Sequence, residues 1–348
     1  MERDDRMKDS PLSSVQETVG RSHLQSIGRL MGHDLRVTLG VLFVVILLLP
    51  MVADSYQTHV LGYIGLYVLM GIGLNVVVGF AGLLDLGYVA FFAIGAYTYA
   101  LLASPQWGIH IPFWLVIPIG IALAAIAGVL LGIPVLRMRG DYLAIVTLGV
   151  GEIIRLVLNN LDPVTRGPQG LSYIDRPWIL SLVLDTPTHF YYLIVAGCIL
   201  SIFIAKRLEN SRVGRAWVAM REDEDAAAAM GIDLMKYKLL AFAIGASFAG
   251  LGGVIFAARQ GSIFPADFGL MVSVNVVCLV VIGGMGSIPG VVIGSIVLIG
   301  LPEVLREVQQ IRLLVVGGLL MFMMIFRPEG FLPAARQRAE IHQIRGTG

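Results

Sequence analysis

The chain has 348 residues, of which 57% are hydrophobic and 14% are charged, against roughly 25% charged residues in ordinary soluble domains. With a mean hydropathy of +0.81, this composition leaves too few polar side chains to cover a water-soluble surface and predicts a membrane protein. The formal net charge of +1 gives no basis for nucleic acid binding. Cys198 and Cys278 both lie in apolar runs without metal-ligand spacing, so neither a disulfide framework nor a zinc site is predicted.

The first 36 residues are polar and basic, and the first apolar run begins only at Val37. A secretory signal has a shorter charged region followed by a cleavage site, so the run is predicted to be an uncleaved helix that follows a cytoplasmic segment. Between Ser14 and Met31, apolar residues recur at roughly helical spacing. Residues 1–36 are therefore predicted to be either an interfacial helix on the membrane surface or a disordered segment.

The rest of the chain is a series of apolar runs separated by short polar loops. A helix needs about 20 apolar residues to cross the hydrocarbon core of a bilayer. Candidate spans lie near residues 37–53, 60–80, 86–103, 113–136, 142–159, 189–206, 238–258, 269–284, 288–302 and 312–326. We predict an all-α, polytopic integral membrane protein with about ten transmembrane helices, some of them glycine-broken or re-entrant. Its membrane domain covers 37–327 and includes a cytoplasmic loop at 207–237, and a cytoplasmic tail follows at 328–348.

Basic residues determine the predicted orientation, because loops rich in Lys and Arg stay on the cytoplasmic side. If the N-terminus is cytoplasmic and the spans alternate, three basic segments fall inside: the loop at 137–139, the loop at 207–237 and the tail after Arg327. The loops near 104–112 and 160–188 fall outside and are poorer in Lys and Arg. The sequence thus predicts an even number of spans with both termini in the cytoplasm.

Two glycine-rich regions interrupt the apolar runs. The first region contains Gly71, Gly73, Gly79, Gly82 and Gly87. The second region contains Gly283, Gly284, Gly286, Gly290, Gly294 and Gly300. Small residues allow helices to pack closely in lipid, and they also allow helices to break where unwound backbone lines a cavity. Both interpretations are compatible with the pattern. The stretch 283–290 contains too much glycine and proline for a continuous helix, so a break is predicted there.

Charged residues at membrane depth are costly and commonly functional. Glu152 and Arg155 lie three residues apart in the fifth predicted span and share a helix face. They are predicted to form either a local ion pair or a polar contact that lines a pathway. Asp85 lies between two apolar runs and is predicted to cap the start of the third span, where a carboxylate complements the helix N-terminus.

Motifs for several chemistries are absent from the sequence. It has no G-x-x-x-x-G-K-[ST] phosphate loop, no H-E-x-x-H zinc motif and no G-x-S-x-G nucleophile elbow. ATP hydrolysis through a phosphate loop is therefore excluded for this chain alone, and no metal site is predicted. The acidic residues at membrane depth are too few for a proton relay. A transport or structural role is favoured over an enzymatic one.

The cytoplasmic loop carries an acidic cluster followed by a run of alanines that ends near Gly231. Alanine is the best helix former and glycine is a common helix stop, so a short alanine-rich helix ending near Gly231 is predicted after the acidic cluster. A small helix with a smooth alanine face is suited to docking into a groove of another protein. A solvated connecting loop is also compatible with the pattern.

Several motifs resemble those of branched-chain amino acid permeases of ABC importers, and they occur in the order typical of that family over about residues 40–330. They are Gly73-Leu74-Asn75 with Gly79, Gly82 and Gly87, Arg139-Gly140-Asp141-Tyr142, Gly151-Glu152-Ile153-Ile154-Arg155, Gly167-Pro168-Gln169-Gly170-Leu171, Arg221-Glu222-Asp223-Glu224 and Gly283-Gly284-Met285-Gly286. The Arg-Gly-Asp-Tyr and Gly-Glu-Ile-Ile-Arg segments look more like the LivM-type than the LivH-type subunit. Glu224 through Gly231 loosely resembles the coupling-loop pattern of acid-Ala-Ala, three residues, then Gly. The sequence departs from the family at Arg166, where members often have glycine or asparagine.

The resemblance implies a permease subunit of an ATP-driven importer that carries leucine, isoleucine and valine across the bacterial inner membrane. It implies a second, LivH-type permease, two ATP-binding subunits and a periplasmic amino-acid-binding protein as partners, with ATP used by those subunits and no cofactor bound by this chain. The implied ATPase-coupling residues are Gly214, Arg215, Arg221, Glu222, Asp223, Glu224, Ala226, Ala227 and Gly231. The implied translocation-path residues are Asn75, Gly79, Gly82, Asp85, Gly87, Glu152, Arg155, Asn275, Gly283, Gly284 and Gly286.

Other functions stay open at this level. Related importers carry urea or short amides, so a permease for such substrates is the first alternative. An ion-coupled secondary transporter is the second, and it needs several acids that face a cavity at the membrane midplane. Only Glu152 and Asp85 are candidates for such a site, which argues against it. A structural or enzymatic membrane subunit is the third alternative.

Overall fold

The computed structural model describes residues 44–138, 140–179, 182–304, 309–327 and 330–332. The chain divides into two units, one ending at Asp54 and one beginning at Ser55. The first unit contributes helix α1 over residues 44–52. The predicted segment 1–36 and nearly all of the predicted tail lie outside the described residues.

The second unit is built almost entirely of helices, which confirms the predicted all-α class. Its helices are α2 (Ser55–Leu74, extended by a π-helix over Asn75–Phe80), α3 (Val89–Leu102), α4 (Phe113–Val135), α5 (Asp141–Asn160), α6 (Asp162–Thr165), α7 (Pro187–Glu209), α8 (Arg212–Glu222), α9 (Glu224–Ala229), α10 (Leu234–Gln260), α11 (Leu270–Gly283), α12 (Ile288–Ser295, extended by a π-helix over Ile296–Gly300), α13 (Leu301–Val304) and α14 (Gln309–Phe326). Short 3-10 helices lie at Gly167–Gln169 and Pro265–Phe268.

Within the described residues, five helices are long and apolar enough to cross a membrane, judged by length and composition. They are Ser55–Phe80, Phe113–Val135, Pro187–Glu209, Leu234–Gln260 and Pro265–Gly283. The apolar helices Val89–Leu102 and Ile288–Glu303 are shorter. These helices confirm a polytopic membrane protein, while the total of about ten spans stays a prediction.

The core is formed where α4 and α3 pack against α10 through small residues. The buried face of α4 repeats every fourth residue, at Val116, Gly120, Ala124, Gly128 and Gly132. A Cβ added to Gly250 of α10 would lie 2.5 Å from the Cβ of Ala124, and one added to Gly128 would lie 2.8 Å from the Cβ of Ala246. Close packing through small residues is typical of helices in lipid, and here it explains many of the glycines in the apolar runs.

The loops gather at two ends of the helix assembly. At one end, which we call the cap end, three two-stranded antiparallel sheets connect the loops. Their strands are β1 (Ala103–Ser104) with β2 (Ile109–His110), β3 (Leu171–Ser172) with β6 (Ser262–Ile263), and β4 (Trp178–Ile179) with β5 (Leu182–Val183). The Tyr99 hydroxyl donates to the Asp175 carbonyl at 2.6 Å and the Trp114 indole donates to the Trp178 carbonyl at 3.1 Å. The loops predicted to be outside are thus neighbours in space.

Two residues of the cap end that are not glycine, Arg166 and Tyr173, have positive φ. Arg166 has φ = 57°, in the left-handed region, where a side chain costs roughly 1–2 kcal/mol relative to glycine. It links α6 to the 3-10 helix Gly167–Gln169. Glycine or asparagine suits this conformation better, which gives a physical reason for the residues expected here from the family pattern.

Candidate functional site

The first helix break begins where α2 and its π-helical extension end. The last residues of this helix form the π-helix Asn75–Phe80, which is entirely buried. The chain then turns at Gly82, whose φ of 71° favours glycine, and runs without helical structure until α3 begins at Val89. Of the two interpretations left open for the first glycine-rich region, the structure shows a helix break near Gly82, and we call residues 81–88 the extended break.

The extended break packs closely against α5. The Leu86 amide donates to Thr147 Oγ1 at 3.0 Å. A Cβ added to Gly87 would meet the backbone of Thr147, with its carbonyl carbon only 2.8 Å away, and would lie 3.4 Å from the Gly151 amide nitrogen. Glycine at position 87 is thus required by a backbone-to-backbone contact with the neighbouring helix α5.

Asp85 does not cap α3 in the way the sequence predicted. Its Oδ1 accepts from the Gly87 amide at 2.9 Å, which closes a local turn before the helix. The first amide of α3, that of Val89, donates instead to the Ser273 hydroxyl of α11 at 2.9 Å. The prediction was wrong because the cap comes from a residue that is distant in sequence, and its hydroxyl occupies the position proposed for the carboxylate.

The second break connects α11 to α12 by a tight turn at residues 284–287, as the sequence predicted. Gly284 and Gly286 have φ of 112° and 84°. Ser287 caps α12 by accepting from the Gly290 amide at 3.2 Å. Gly283 and Gly290 face each other so closely that a Cβ on Gly283 would lie 2.5 Å from the Gly290 carbonyl carbon. We call residues 284–287 the tight break.

The two breaks touch each other through α2. Asn75 Oδ1 accepts from the buried Gly286 amide at 2.8 Å. A Cβ added to Gly79 would lie 2.5 Å from the same amide nitrogen. The structure therefore brings together Asn75, Gly79 and Gly286, which the sequence assigned to one path from three separate positions.

The loop at 207–237, which the sequence predicts to be cytoplasmic, folds into two short helices rather than one, and we call α8 and α9 the elbow. Asp223 separates them, and its Oδ1 accepts from the amides of Asp225 and Ala226, both at 2.9 Å. The acidic cluster thus begins the second helix instead of preceding it, because a carboxylate is a good N-cap. The helix ends at Ala229, close to Gly231 as predicted.

The elbow is anchored to α10 and α7 by buried contacts. Trp217 is fully buried, and its indole nitrogen donates to the Tyr237 carbonyl at 2.8 Å. The Lys238 ammonium, on a nearly buried side chain, lies 2.6 Å from Glu224 Oε1. A Cβ on Gly214 would lie 2.5 Å from the Glu209 carbonyl oxygen at the end of α7. These contacts fix the position of the elbow relative to two spans.

The connection between the elbow and α10 also has an exposed side, which carries an ion pair. Asp233 caps α10, and Lys236 Nζ lies 2.8 Å from its Oδ2. Hydrogen bonding to the Lys236 side chain holds the pKa of the Asp233 carboxyl below its usual range. Because both side chains are well exposed, this pair contributes little to holding the elbow.

Arg221, the last basic residue of α8, connects the elbow to the extended break. Its Nη1 donates to the Gly79 carbonyl at 2.5 Å. Its aliphatic part covers Gly82, where an added Cβ would lie 2.8 Å from Arg221 Cγ. Since π-helical residues such as Gly79 leave backbone carbonyls less regularly paired, a charged donor is well placed there.

The exposed face of the elbow differs from the predicted docking surface at Gly214 and Ala227, which are both buried. Ala227 is buried at 4% exposure, whereas Met230 is 84% exposed. The other exposed residues between Arg212 and Gly231 are Arg212, Arg215, Glu222, Asp223, Asp225, Ala226, Ala228, Ala229 and Gly231. Ala227 faces its own chain because helical periodicity turns it by about 100° from each neighbour. A bulky residue at 227 would therefore first disturb this chain's packing.

Two predicted path sites lie apart from the breaks. Glu152 and Arg155 form the ion pair expected on α5, with Arg155 Nε 3.0 Å from each carboxylate oxygen. Asn275 lines a cavity of about 460 Å³. The other lining residues are Tyr56, His59, Val60, Tyr63, Tyr67, Leu298, Ile299, Pro302 and Glu303. The local ion pair is confirmed, and the path role of these residues stays a prediction.

Sequence reasoning missed the groups that hold the extended break and the elbow. Ser273, Thr147 and Lys238 are polar residues buried below 6% exposure within apolar helices. A buried polar side chain in a spanning helix needs a partner, so their presence there was the available signal. The identity of each partner depends on packing between elements that the sequence pattern does not reveal.

Comparison with known proteins gives consistent matches. The family model described as the permease component of branched-chain amino acid transport systems matches residues 56–326. The chain is 42% identical over 306 residues to the high-affinity branched-chain amino acid transport system permease protein LivM of Escherichia coli (strain K12), covering 81% of this chain and 71% of that protein. The LivM protein of Salmonella typhimurium is 40% identical with the same coverage. The LivH permease protein of the same Escherichia coli strain is 26% identical over 285 residues, covering 76% of this chain and 91% of that protein. No solved structure matches the chain.

Proposed function

The chain belongs to the family of branched-chain amino acid transport permeases, and we propose that it is the LivM-type membrane subunit of an ATP-driven importer for leucine, isoleucine and valine. The family match over residues 56–326 and the relatives named for this transport support the proposal. The higher identity to LivM than to LivH proteins supports the subunit type.

The observation that carries the proposed mechanism is the contact between the elbow and the extended break. Arg221 belongs to a surface helix, yet its guanidinium reaches the Gly79 carbonyl of a buried π-helix at 2.5 Å. A force applied to the elbow is transmitted through this bond to the end of α2, where Asn75 also holds the tight break. We infer that this connection couples ATP hydrolysis in partner subunits to rearrangement of the broken helices.

The partners follow from the two ends of the molecule. One of two ATP-binding subunits docks on the exposed face of the elbow, where Ala228, Ala229 and Met230 offer a small apolar patch beside acidic residues. A LivH-type permease completes the membrane part, and a periplasmic amino-acid-binding protein delivers substrate at the cap end. This chain binds no cofactor itself, and the partner subunits use ATP. Nucleic acid has no part in the function.

The proposed location is the bacterial inner membrane, with both termini in the cytoplasm. The basic loops at 137–139 and 207–237 support a cytoplasmic position for the elbow. This orientation is required for docking of ATP-binding subunits, because ATP is cytoplasmic. The cap end then faces the periplasm, where the binding protein acts.

The mechanism is tested by substituting Arg221→Ala in the complete importer, co-expressed with its partner subunits and reconstituted in proteoliposomes. We expect ATP-driven uptake of labelled leucine to fall about tenfold or more, because loss of a charged donor to a buried carbonyl weakens the link by roughly 2 kcal/mol. Co-purification of the ATP-binding subunits should remain, since the exposed face is unchanged.

Arg212→Ala is the matched control, because Arg212 is exposed at the start of the same helix. Its uptake should stay within twofold of the unmodified protein. Normal uptake in Arg221→Ala would contradict the coupling mechanism. Uptake of labelled urea in place of leucine by the unmodified importer would contradict the substrate assignment and favour the urea or short-amide alternative.

A further inference from the structure

The ion pair on α5 is unusual for its surroundings. Glu152 and Arg155 belong to a helix of 20 residues, Asp141–Asn160, which is about 30 Å long at 1.5 Å per residue. The pair lies near the middle of that helix, whose start follows the basic loop and whose end leads into the cap end. If α5 crosses the membrane between these ends, both charges are at membrane depth.

The pair is also accessible. The side chains of Arg155 and Glu152 are 29% and 41% exposed. Ionised groups at membrane depth avoid lipid and face the interior of an assembly or a water-filled path. The exposed flank of α5 that carries the pair therefore faces the transport path or the second permease, not the hydrocarbon.

The buried side of α5 packs against the extended break, and the ion pair does not take part in this packing. Leu143, Ala144, Thr147 and Gly151 are buried, and the last two contact the extended break. The side-chain hydrogen bonds of Arg155 to described residues all go to Glu152, on its own helix. Within the described part of the chain, the pair thus joins no two helices, and a purely architectural role between spans is not supported.

The chemistry of the pair matches the charged head of an amino acid. An α-amino acid zwitterion carries its carboxylate and its ammonium on the same α-carbon. Arg155 donates to Glu152 through Nε and Nη2. A guanidinium has five N–H donors in a fork, and two of them can donate to the two oxygens of one carboxylate. Glu152 is an acceptor that suits an ammonium. The two groups, three positions apart, can exchange their mutual bond for two bonds to one substrate.

The neighbourhood offers room for an apolar side chain. A Cβ added to Gly149 would meet no atom within 4 Å among the described residues. Ile145 and Leu156 are 66% and 45% exposed on the same side of the helix. An aliphatic side chain such as that of leucine can rest beside these residues while its head group contacts the ion pair.

We propose that Glu152 and Arg155 form a transit site for the zwitterionic head of the amino acid, with the α-carboxylate on Arg155 and the α-ammonium on Glu152. The site rests on the proposed function, because it requires that the path runs past α5. In the resting state the two side chains neutralise each other. When substrate enters, it takes the place of each partner, so neither charge is left unpaired in a region of low polarity.

The test uses the complete importer in proteoliposomes and compares Glu152→Gln, Arg155→Gln, the double variant of both, and Val157→Ala as a control on an exposed position of the same helix. Labelled leucine uptake and ATP hydrolysis stimulated by the binding protein are measured together. We expect uptake to fall at least tenfold in both single variants and in the double variant. Stimulated hydrolysis and co-purification of all subunits should stay within twofold, and Val157→Ala should behave like the unmodified protein.

The double variant separates this site from a local ion pair. A single substitution leaves one unpaired charge, whereas the double variant removes both, so a merely local pair predicts recovery of uptake in the double variant. Such recovery, unchanged uptake in all variants, or loss of assembly in the double variant would overturn the transit site. If the unmodified importer shows no ATP-driven leucine uptake, the proposed function itself fails, and the transit site fails with it.

Discussion

The extended break and the tight break arise from similar glycine-rich sequences but are held in different ways. The extended break, residues 81–88, takes contacts from two other elements, through Arg221 of α8 and Thr147 of α5, and Ser273 of α11 binds the first amide of the helix that follows it. The tight break, residues 284–287, is closed by its own turn, in which the Ser287 amide donates to the Gly284 carbonyl at 3.1 Å, and it is tied to the end of α2 by the bond from the Gly286 amide to Asn75 Oδ1. The extended break therefore depends more on its surroundings, and the tight break depends more on local backbone geometry.

This difference indicates which break can respond to a partner. A segment held by side chains from neighbouring helices changes shape when those helices move, because its own backbone offers few internal bonds. A turn closed by local bonds keeps its shape and moves as a unit. We therefore expect movement of the elbow to reach the extended break first, through Arg221, and the tight break second, through Asn75.

The largest effect on stability is expected from Gly87→Ala, which tests the dependence of the extended break on α5. The added methyl group would overlap the Thr147 backbone, and backbone atoms of two packed spans cannot move aside cheaply. We expect the free energy of unfolding to fall by about 3 kcal/mol, measured by denaturant titration in mixed micelles.

Gly149→Ala is the control for this substitution, since a methyl group there meets no described atom and alanine favours helix. Its stability should be equal to that of the unmodified protein or slightly higher. Equal losses in the two variants would show that the Gly87 contact does not hold the extended break.

The positions of both breaks could be predicted from the sequence, and their supports could not. Glycine and proline lower helix propensity wherever they cluster, so the breaks near Gly82 and Gly284 follow from local rules. The Ser273 bond to Val89 joins residues 184 positions apart. Such a contact depends on the packing register of α11 against α3, which no local pattern specifies, and Asp85 was therefore assigned the wrong partner.

The elbow shows the same limit at a smaller scale. The alanine run predicted a helix and Gly231 predicted its end, because both are local signals. Which alanine faces the chain depends on where the helix begins, and the Asp223 cap places that start within the acidic cluster. A shift of the start by a few residues is enough to bury Ala227 and leave Ala228 exposed.

A smaller effect is expected from Asn75→Ala, which removes the bond between the end of α2 and the tight break. The substitution leaves the buried Gly286 amide without its acceptor, so we expect a loss of about 2 kcal/mol in the same titration. Thr98→Val is the control, because Thr98 is also buried but bonds only to Ile94 of its own helix at 2.7 Å. The control should lower the free energy of unfolding by less than about 1 kcal/mol. An equal loss in both variants would mean that the Asn75 bond to the tight break stabilises the protein no more than a bond within one helix.

The smallest effect is expected at the tight break itself, where the constraint is a local backbone angle. Gly286 has φ = 84°, so Gly286→Ala should lower the free energy of unfolding by roughly 1 kcal/mol through left-handed strain. Gly286→Asn should cost less, because asparagine tolerates this conformation better than alanine does. If the asparagine variant proves as unstable as the alanine variant, side-chain space limits the turn rather than backbone angle. The tight break would then depend on its neighbours as the extended break does, and the contrast between the two breaks would be lost.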